Sequence, residues 1–179
     1  MKTCVFLADG FEEIEALSVV DFFRRAGAEI ETVSITNKKE VVGSHEIMVS
    51  SDKTILDFSY DEYSCFVLPG GMPGSTNLRD NPIVIKNIQS AMADGKIIGA
   101  ICAAPIVLVA ADVTNGKQIT SFPGSVKPSD QYFYVEKDVV VDGNLITSRA
   151  VGTVFQFTFT LLEKLGFEYK KIKEAMLIK

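Results

Sequence analysis

Short apolar runs alternate with longer amphipathic stretches along the whole chain. Residues 3–8 read as a buried strand. Residues 12–26 carry apolar positions at helical spacing and stop at Gly27. A second strand covers 29–35, and apolar and polar residues interleave over 41–50 around Gly43-Ser44, which predicts a hairpin or edge region. Residues 64–68 form a fully apolar strand running into Pro69-Gly70-Gly71. Asp80-Asn81-Pro82 starts a helix that extends to about Ala93, with Pro82 at its first position. Residues 96–101 then read as the central strand and 103–111 as the helix after it. A hairpin over 139–147 turns at Asp142-Gly143. Two helices close the chain, over 153–165 (stopped by Gly166) and 169–177. Strands apolar on both faces that alternate with helices predict a mostly parallel sheet covered on both sides: an α/β sandwich. No repeat, linker or low-complexity tract divides it, so 1–179 is expected to be one domain.

Bulk properties narrow the partners more than the chemistry. The 179 residues suffice for one sizeable core. A net charge of −5 and a pI near 5.0 argue against nucleic acid as the main partner, because phosphate binding needs a concentrated basic surface. The N-terminal apolar run is too short for a signal peptide, and nothing reaches membrane-spanning length. Three widely spaced cysteines, Cys4, Cys65 and Cys102, with no CxxC pair and a single histidine, fit free thiols in a reducing cytoplasm and give no zinc spacing. Neither a metal nor a cofactor is expected.

Candidate chemistry converges on Cys102. In Gly99-Ala100-Ile101-Cys102-Ala103-Ala104-Pro105, strand-like residues turn abruptly into helix formers, and small residues flank the thiol as a strained strand-to-helix turn requires. Such a turn would expose the sulfur at a helix start, where the helix end favours thiolate. In open α/β sheets, sites form beyond the carboxyl ends of the strands. Two further segments should reach that edge, Asp9 to Glu15 and the loop Pro69-Gly70-Gly71-Met72-Pro73-Gly74. The glycine loop is either a plain turn or, with the Ala103 N–H, an oxyanion hole. Among Glu12, Glu13 and Glu15, the pattern does not choose which carboxyl enters the crevice; solvated side chains at a helix start account for Glu12 and Glu13. A carboxyl beside a thiolate in a water-poor pocket would stay protonated and donate to sulfur. Cys4 and Cys65 read as buried hydrophobes, and His45 lies in the predicted hairpin, away from the crevice of its own chain.

The segments Leu7 to Glu15, Phe66 to Gly71, Ile101 to Pro105, and Leu145 to Arg149 with Gly152-Thr153 together resemble the ThiJ/PfpI superfamily, on the branch of the Parkinson-disease protein deglycase and its bacterial relatives. The resemblance implies a flavodoxin-like three-layer α/β/α sandwich with a nucleophile-elbow cysteine, usually a homodimer. It places the nucleophile on Cys102, its acidic partner on Glu15, and backbone donors on Gly71 and Ala103. It also implies that two basic positions approach the cysteine from the neighbouring subunit, here Arg25 and His45. One departure stands out: where many members carry a histidine after the next strand, this chain has Phe122. No imidazole in cis is then available to protonate an amine leaving group, which argues against peptidase activity.

The expected activity is a glutathione-independent glyoxalase or deglycase that acts on small reactive dicarbonyls or early glycation adducts, protecting against carbonyl and oxidative stress. The alternatives are a redox sensor or chaperone with an oxidisable Cys102, a thiazole monophosphate biosynthesis role that the superfamily label carries without a phosphate motif here, and a flavin-binding module by fold analogy alone.

Overall fold

The computed structural model describes residues 1–178. In chain order its elements are β1 (Lys2–Leu7), α1 (Glu13–Arg25), β2 (Glu29–Ser34), β3 (Glu40–Val42), β4 (Met48–Ser50), β5 (Lys53–Thr54), β6 (Tyr63–Leu68), α2 (Gly74–Arg79) and α3 (Pro82–Ala93). There follow β7 (Ile97–Ile101), α4 (Pro105–Ala110), β8 (Gln118–Ile119), β9 (Phe133–Tyr134), β10 (Val139–Asp142), β11 (Leu145–Ser148), α5 (Val154–Lys164) and α6 (Lys170–Ala175).

Seven strands form one sheet in the order β10-β11-β7-β6-β1-β2-β5. Every neighbouring pair is parallel except β10 and β11, the hairpin that turns at Gly143. The apolar runs of β1 and β6 are continuous because each strand serves two cores. Cys4, Phe6, Phe66 and Leu68 pack on one face with residues of α2, α3 and α4; Val5, Leu7, Cys65 and Val67 pack on the other with α1 and α5. These are the three layers of a flavodoxin-like α/β/α sandwich.

The strand after α3 is not the middle of the sheet. β6 is central, with β7 one place off, because the chain adds β1, β2 and β5 on one side of β6 and β7, β11 and β10 on the other. The order in which strands are added reverses between β1 and β6, so the carboxyl ends of the parallel strands β1, β6 and β7 open onto one crevice, where such sheets place their ligands. The predicted hairpin at 41–50 is the separate β3–β4 ribbon. It folds over the start of α1: Gly10 N–H donates to Val42 O at 2.7 Å and Ser44 N–H to Phe11 O at 2.8 Å. No helix among the described residues is long and apolar enough to cross a membrane.

Candidate active site

β7 ends at Ile101, and the next residue, Cys102, has φ of 63°. A side-chain-bearing residue in the left-handed region is strained by on the order of 1–3 kcal/mol and needs surroundings that fix it. Here both of its backbone groups are held: Cys102 N–H donates to Ser148 O at 3.0 Å, and Phe122 N–H donates to Cys102 O at 2.8 Å. Ala104 N–H closes the turn on Ile101 O, and Pro105 opens α4 at a position where its missing N–H costs nothing. The sequence placed the helix start at Ala103; it lies two residues later, because Cys102 to Ala104 are spent on the turn. Ala103 and Ala104 are buried and have no room for larger side chains in that bend.

The carboxyl comes from α1. Glu12 caps that helix, its Oε2 accepting the Glu15 N–H at 2.7 Å. Glu15 is fully buried, and its Oε2 accepts the Gly70 N–H at 2.9 Å, while Glu12 N–H donates to Gly70 O at 2.9 Å. These bonds lock the first turn of α1 against the loop after β6. Gly70 is obligatory there, since a methyl group would lie 2.5 Å from Glu15 Oε2 and 2.6 Å from Cys102 Cβ. Gly71 turns away with φ of 89°. Its N–H and that of Ala103 interact with the Cys102 sulfur. Glu15 Oε1 is buried without a well-formed hydrogen bond among the described residues; besides Gly70, the Cys102 thiol is the group that engages this carboxyl.

Burial, and then the charge of Glu12, push Glu15 up to about 7, against the Gly70 N–H and the thiol, which pull it down. Burial and the Glu15 carboxylate push Cys102 up to about 12, opposed by the N–H groups of Ala103 and Gly71. The helix-end lowering expected for the thiol is therefore outweighed while Glu15 is charged. The two acids titrate as a pair: the first proton leaves near 7 and the second with far more difficulty, so a single proton is held by the pair only above about 7. Cys4 and Cys65 are fully buried in strands, and burial raises both thiols.

Glu12 and Glu13 are not solvated, contrary to the sequence reading, because the β3–β4 ribbon covers them. They are 8% and 4% exposed. Glu13 accepts the His45 N–H at 2.7 Å, and His45 Nδ1 lies 2.7 Å from its other oxygen. Burial alone would raise Glu13, but the His45 ring and N–H outweigh it and hold the carboxyl at about 2. Glu12, Glu13 and His45 bring ligand-type atoms within 4.8 Å of one another, but these groups already have the protein partners just described. Arg25 pairs with Asp21 at 2.6 Å. Neither Arg25 nor His45 lines the crevice of its own chain.

That crevice is a cavity of about 510 Å³ with Cys102, Gly71 and Ala103 on its wall, a volume within the range of small-molecule sites. Met72, Ile106 and Phe122 supply apolar lining, and Thr76, Arg79 and Ser125 the polar side chains. Phe122, half exposed, puts an aromatic ring on that wall. Sequence reasoning missed Arg79 and Thr76, since both belong to α2, a six-residue helix with no capping side chain to announce it.

A folded-state Glu15 raised from 4.5 to about 7 keeps its proton where the unfolded chain has lost it. Its contribution to stability is thus complete below about pH 4.5 and lost as pH rises through about 7. Compared with Glu15→Gln, wild type should lose on the order of 2–3 kcal/mol across that window, measured by urea unfolding at a series of pH values. A pH-independent difference between the two proteins would contradict the raised carboxyl.

A family model for the DJ-1/PfpI family matches residues 1–164. The Drosophila melanogaster protein dj-1beta is 38% identical over 96% of this chain and 92% of its own length. The crystal structure of Drosophila melanogaster DJ-1beta superposes with a TM-score of 0.94, covering 99% of this chain and 98% of that one at 33% identity. A Pyrococcus abyssi protein named as a deglycase is 29% identical over 87% of this chain and 93% of its own. With most of its length matched by the family model and by relatives of similar size, the chain belongs to the DJ-1/PfpI family.

Proposed function

We propose that this protein is a cysteine-dependent, glutathione-independent enzyme acting on small reactive dicarbonyls, with early glycation adducts as related substrates. The observation that carries the reading is the buried Glu15 carboxyl engaging the Cys102 thiol, so that the two groups' protons are coupled, beside a small, largely apolar cavity. In the reactive form the proton sits on Glu15 and the charge on sulfur. Two backbone N–H groups, from Gly71 and Ala103, favour charge on sulfur, against one from Gly70 at the carboxyl.

For methylglyoxal the steps balance without an external oxidant. The Cys102 thiolate adds to the aldehyde carbon, the oxyanion gathers on the N–H groups of Gly71 and Ala103, and it takes the Glu15 proton to give a hemithioacetal. The Glu15 carboxylate, now a base, removes the hydrogen from that carbon to give an enediol and returns it to the neighbouring carbon, while the hydroxyl proton passes to the former ketone oxygen, leaving a thioester of a 2-hydroxy acid. Water hydrolyses the thioester, releasing lactate and restoring the thiolate and the protonated Glu15. Phe122 leaves no imidazole in the cavity to assist amine departure, which favours aldehyde chemistry over peptide cleavage.

Assembly as a homodimer, with Arg25 and His45 reaching the neighbouring subunit's cavity, is part of the same proposal. Exposed Ile14 and Leu17 on α1, with Ile47 and Met48 on the ribbon, offer an apolar surface for a second copy. A cytoplasmic location accords with three unpaired cysteines.

Lactate formation from methylglyoxal tests the scheme. Wild type should turn over, and Cys102→Ser and Glu15→Ala should each lose at least about a hundredfold in kcat/KM, as expected for removal of a nucleophile or a general acid–base group. Undiminished turnover in either variant sinks it.

A second reading has its own support: Cys102 is the one thiol among the three that is not fully buried, and its sulfur has N–H donors that would also hold a sulfinate. As an oxidation sensor the protein would reduce two equivalents of peroxide per sulfinate formed. Mass spectrometry after mild peroxide should then find two oxygens on Cys102 alone; equal oxidation of Cys4 or Cys65 would remove this reading.

A further inference from the structure

We propose that Arg79 makes the Cys102 cavity selective for electrophiles that carry an anionic group, a carboxylate above all, so that charged keto-aldehydes and not bare methylglyoxal are the preferred substrate class. The inference rests on the enzymatic reading above and sharpens its substrate. Arg79 is the one charged side chain on the wall of the cavity that holds the sulfur. The rest of the lining can recognise a carbon skeleton but contributes no charge: Met72, Ile106 and Phe122 are apolar, and Thr76 is neutral.

The guanidinium is already held in place. Its Nε donates to Asp80 Oδ1 at 2.7 Å and its Nη2 to Asp80 Oδ2 at 3.0 Å, a two-point clamp that fixes the plane of the group. Of the five N–H bonds of an arginine, this clamp uses two, and no other partner for Arg79 occurs among the described residues. Nη1 and the second hydrogen of Nη2 remain for a ligand, in the fork geometry that suits a carboxylate. Asp80 therefore orients the cation while moderating its charge. The other two basic positions connected with this site are engaged elsewhere in their own chain, Arg25 with Asp21 and His45 with Glu13. Within one subunit, the positive charge offered to a bound molecule is that of Arg79.

Alkylation of the native protein isolates this property from turnover. Cys4 and Cys65 are fully buried, so modification in the native state reports Cys102. In each case the thiolate displaces iodide and forms one carbon–sulfur bond; iodoacetate and iodoacetamide differ in charge but hardly in size. The rate ratio of iodoacetate to iodoacetamide should fall about five-fold in Arg79→Gln, the factor a single charge contact carries at a wet surface. It should be kept in Arg79→Lys, rise in Asp80→Asn, and lose its dependence on residue 79 at high salt. In parallel, the ratio of kcat/KM for dioxovalerate, a keto-aldehyde with a terminal carboxylate, to that for methylglyoxal should fall by a similar factor in Arg79→Gln, with the change in KM. If wild type converts neither dicarbonyl, the enzymatic reading fails, and the alkylation ratio alone then decides the role of Arg79. An iodoacetate preference that is the same in wild type and Arg79→Gln overturns the proposal, as does one lost equally in Arg79→Lys.

Discussion

Two coupled acids, a buried carboxyl and a half-buried thiol, constrain nearly everything around them. A buried carboxylate beside a thiolate would place two negative charges almost in contact, with little water to screen them. The chain meets this by keeping a proton on the pair and by placing N–H donors from two separate segments: Gly70 and Gly71 of one loop, on the carboxyl and the sulfur respectively, and Ala103 of the elbow, on the sulfur. Gly70 has to be glycine because the carboxyl and Cys102 Cβ close on it from two sides. The strained elbow at Cys102 is acceptable because Ser148 and Phe122 hold its backbone from neighbouring segments.

The sheet makes this arrangement possible. Reversal of the order of strand addition between β1 and β6 brings the ends of β1, β6 and β7 to one edge, so three loops distant in sequence supply the carboxyl, the donors and the thiol. The β3–β4 ribbon then folds over the start of α1 and gives Glu13 a histidine partner. Neighbouring carboxyls on one helical turn thereby reach opposite states. Glu13 stays ionised against His45, and Glu15, with a thiol and a single N–H, holds its proton to about pH 7. Membership of the DJ-1/PfpI family agrees with this layout.

Much of this was legible in the sequence. The two-faced apolar runs revealed a covered parallel sheet, and the small residues around Cys102 revealed the elbow. The choice among Glu12, Glu13 and Glu15 was not legible from pattern, because it depends on how α1 is rotated against a loop over fifty residues away. Resemblance singled out Glu15, and the Gly70 hydrogen bond gives the physical reason. The solvation expected of Glu12 and Glu13 failed because the ribbon that buries them is a tertiary feature. β5, β8 and β9, two residues each, are too short to leave a periodic signal. α2 also leaves none, and with it Arg79 went unseen.

The central claim is that Glu15 and Cys102 form one coupled acid pair, in which Glu15 ionises near 7 and its charge then holds the thiol protonated well above the ordinary range. Ultraviolet thiolate absorbance followed against pH, with Cys102→Ser subtracted, addresses it directly. The account predicts a thiolate that appears only above 9.0, the ordinary value for a free thiol, with a midpoint that moves downward by about one unit or more in Glu15→Ala. A thiolate midpoint that is unchanged or raised in Glu15→Ala would contradict it.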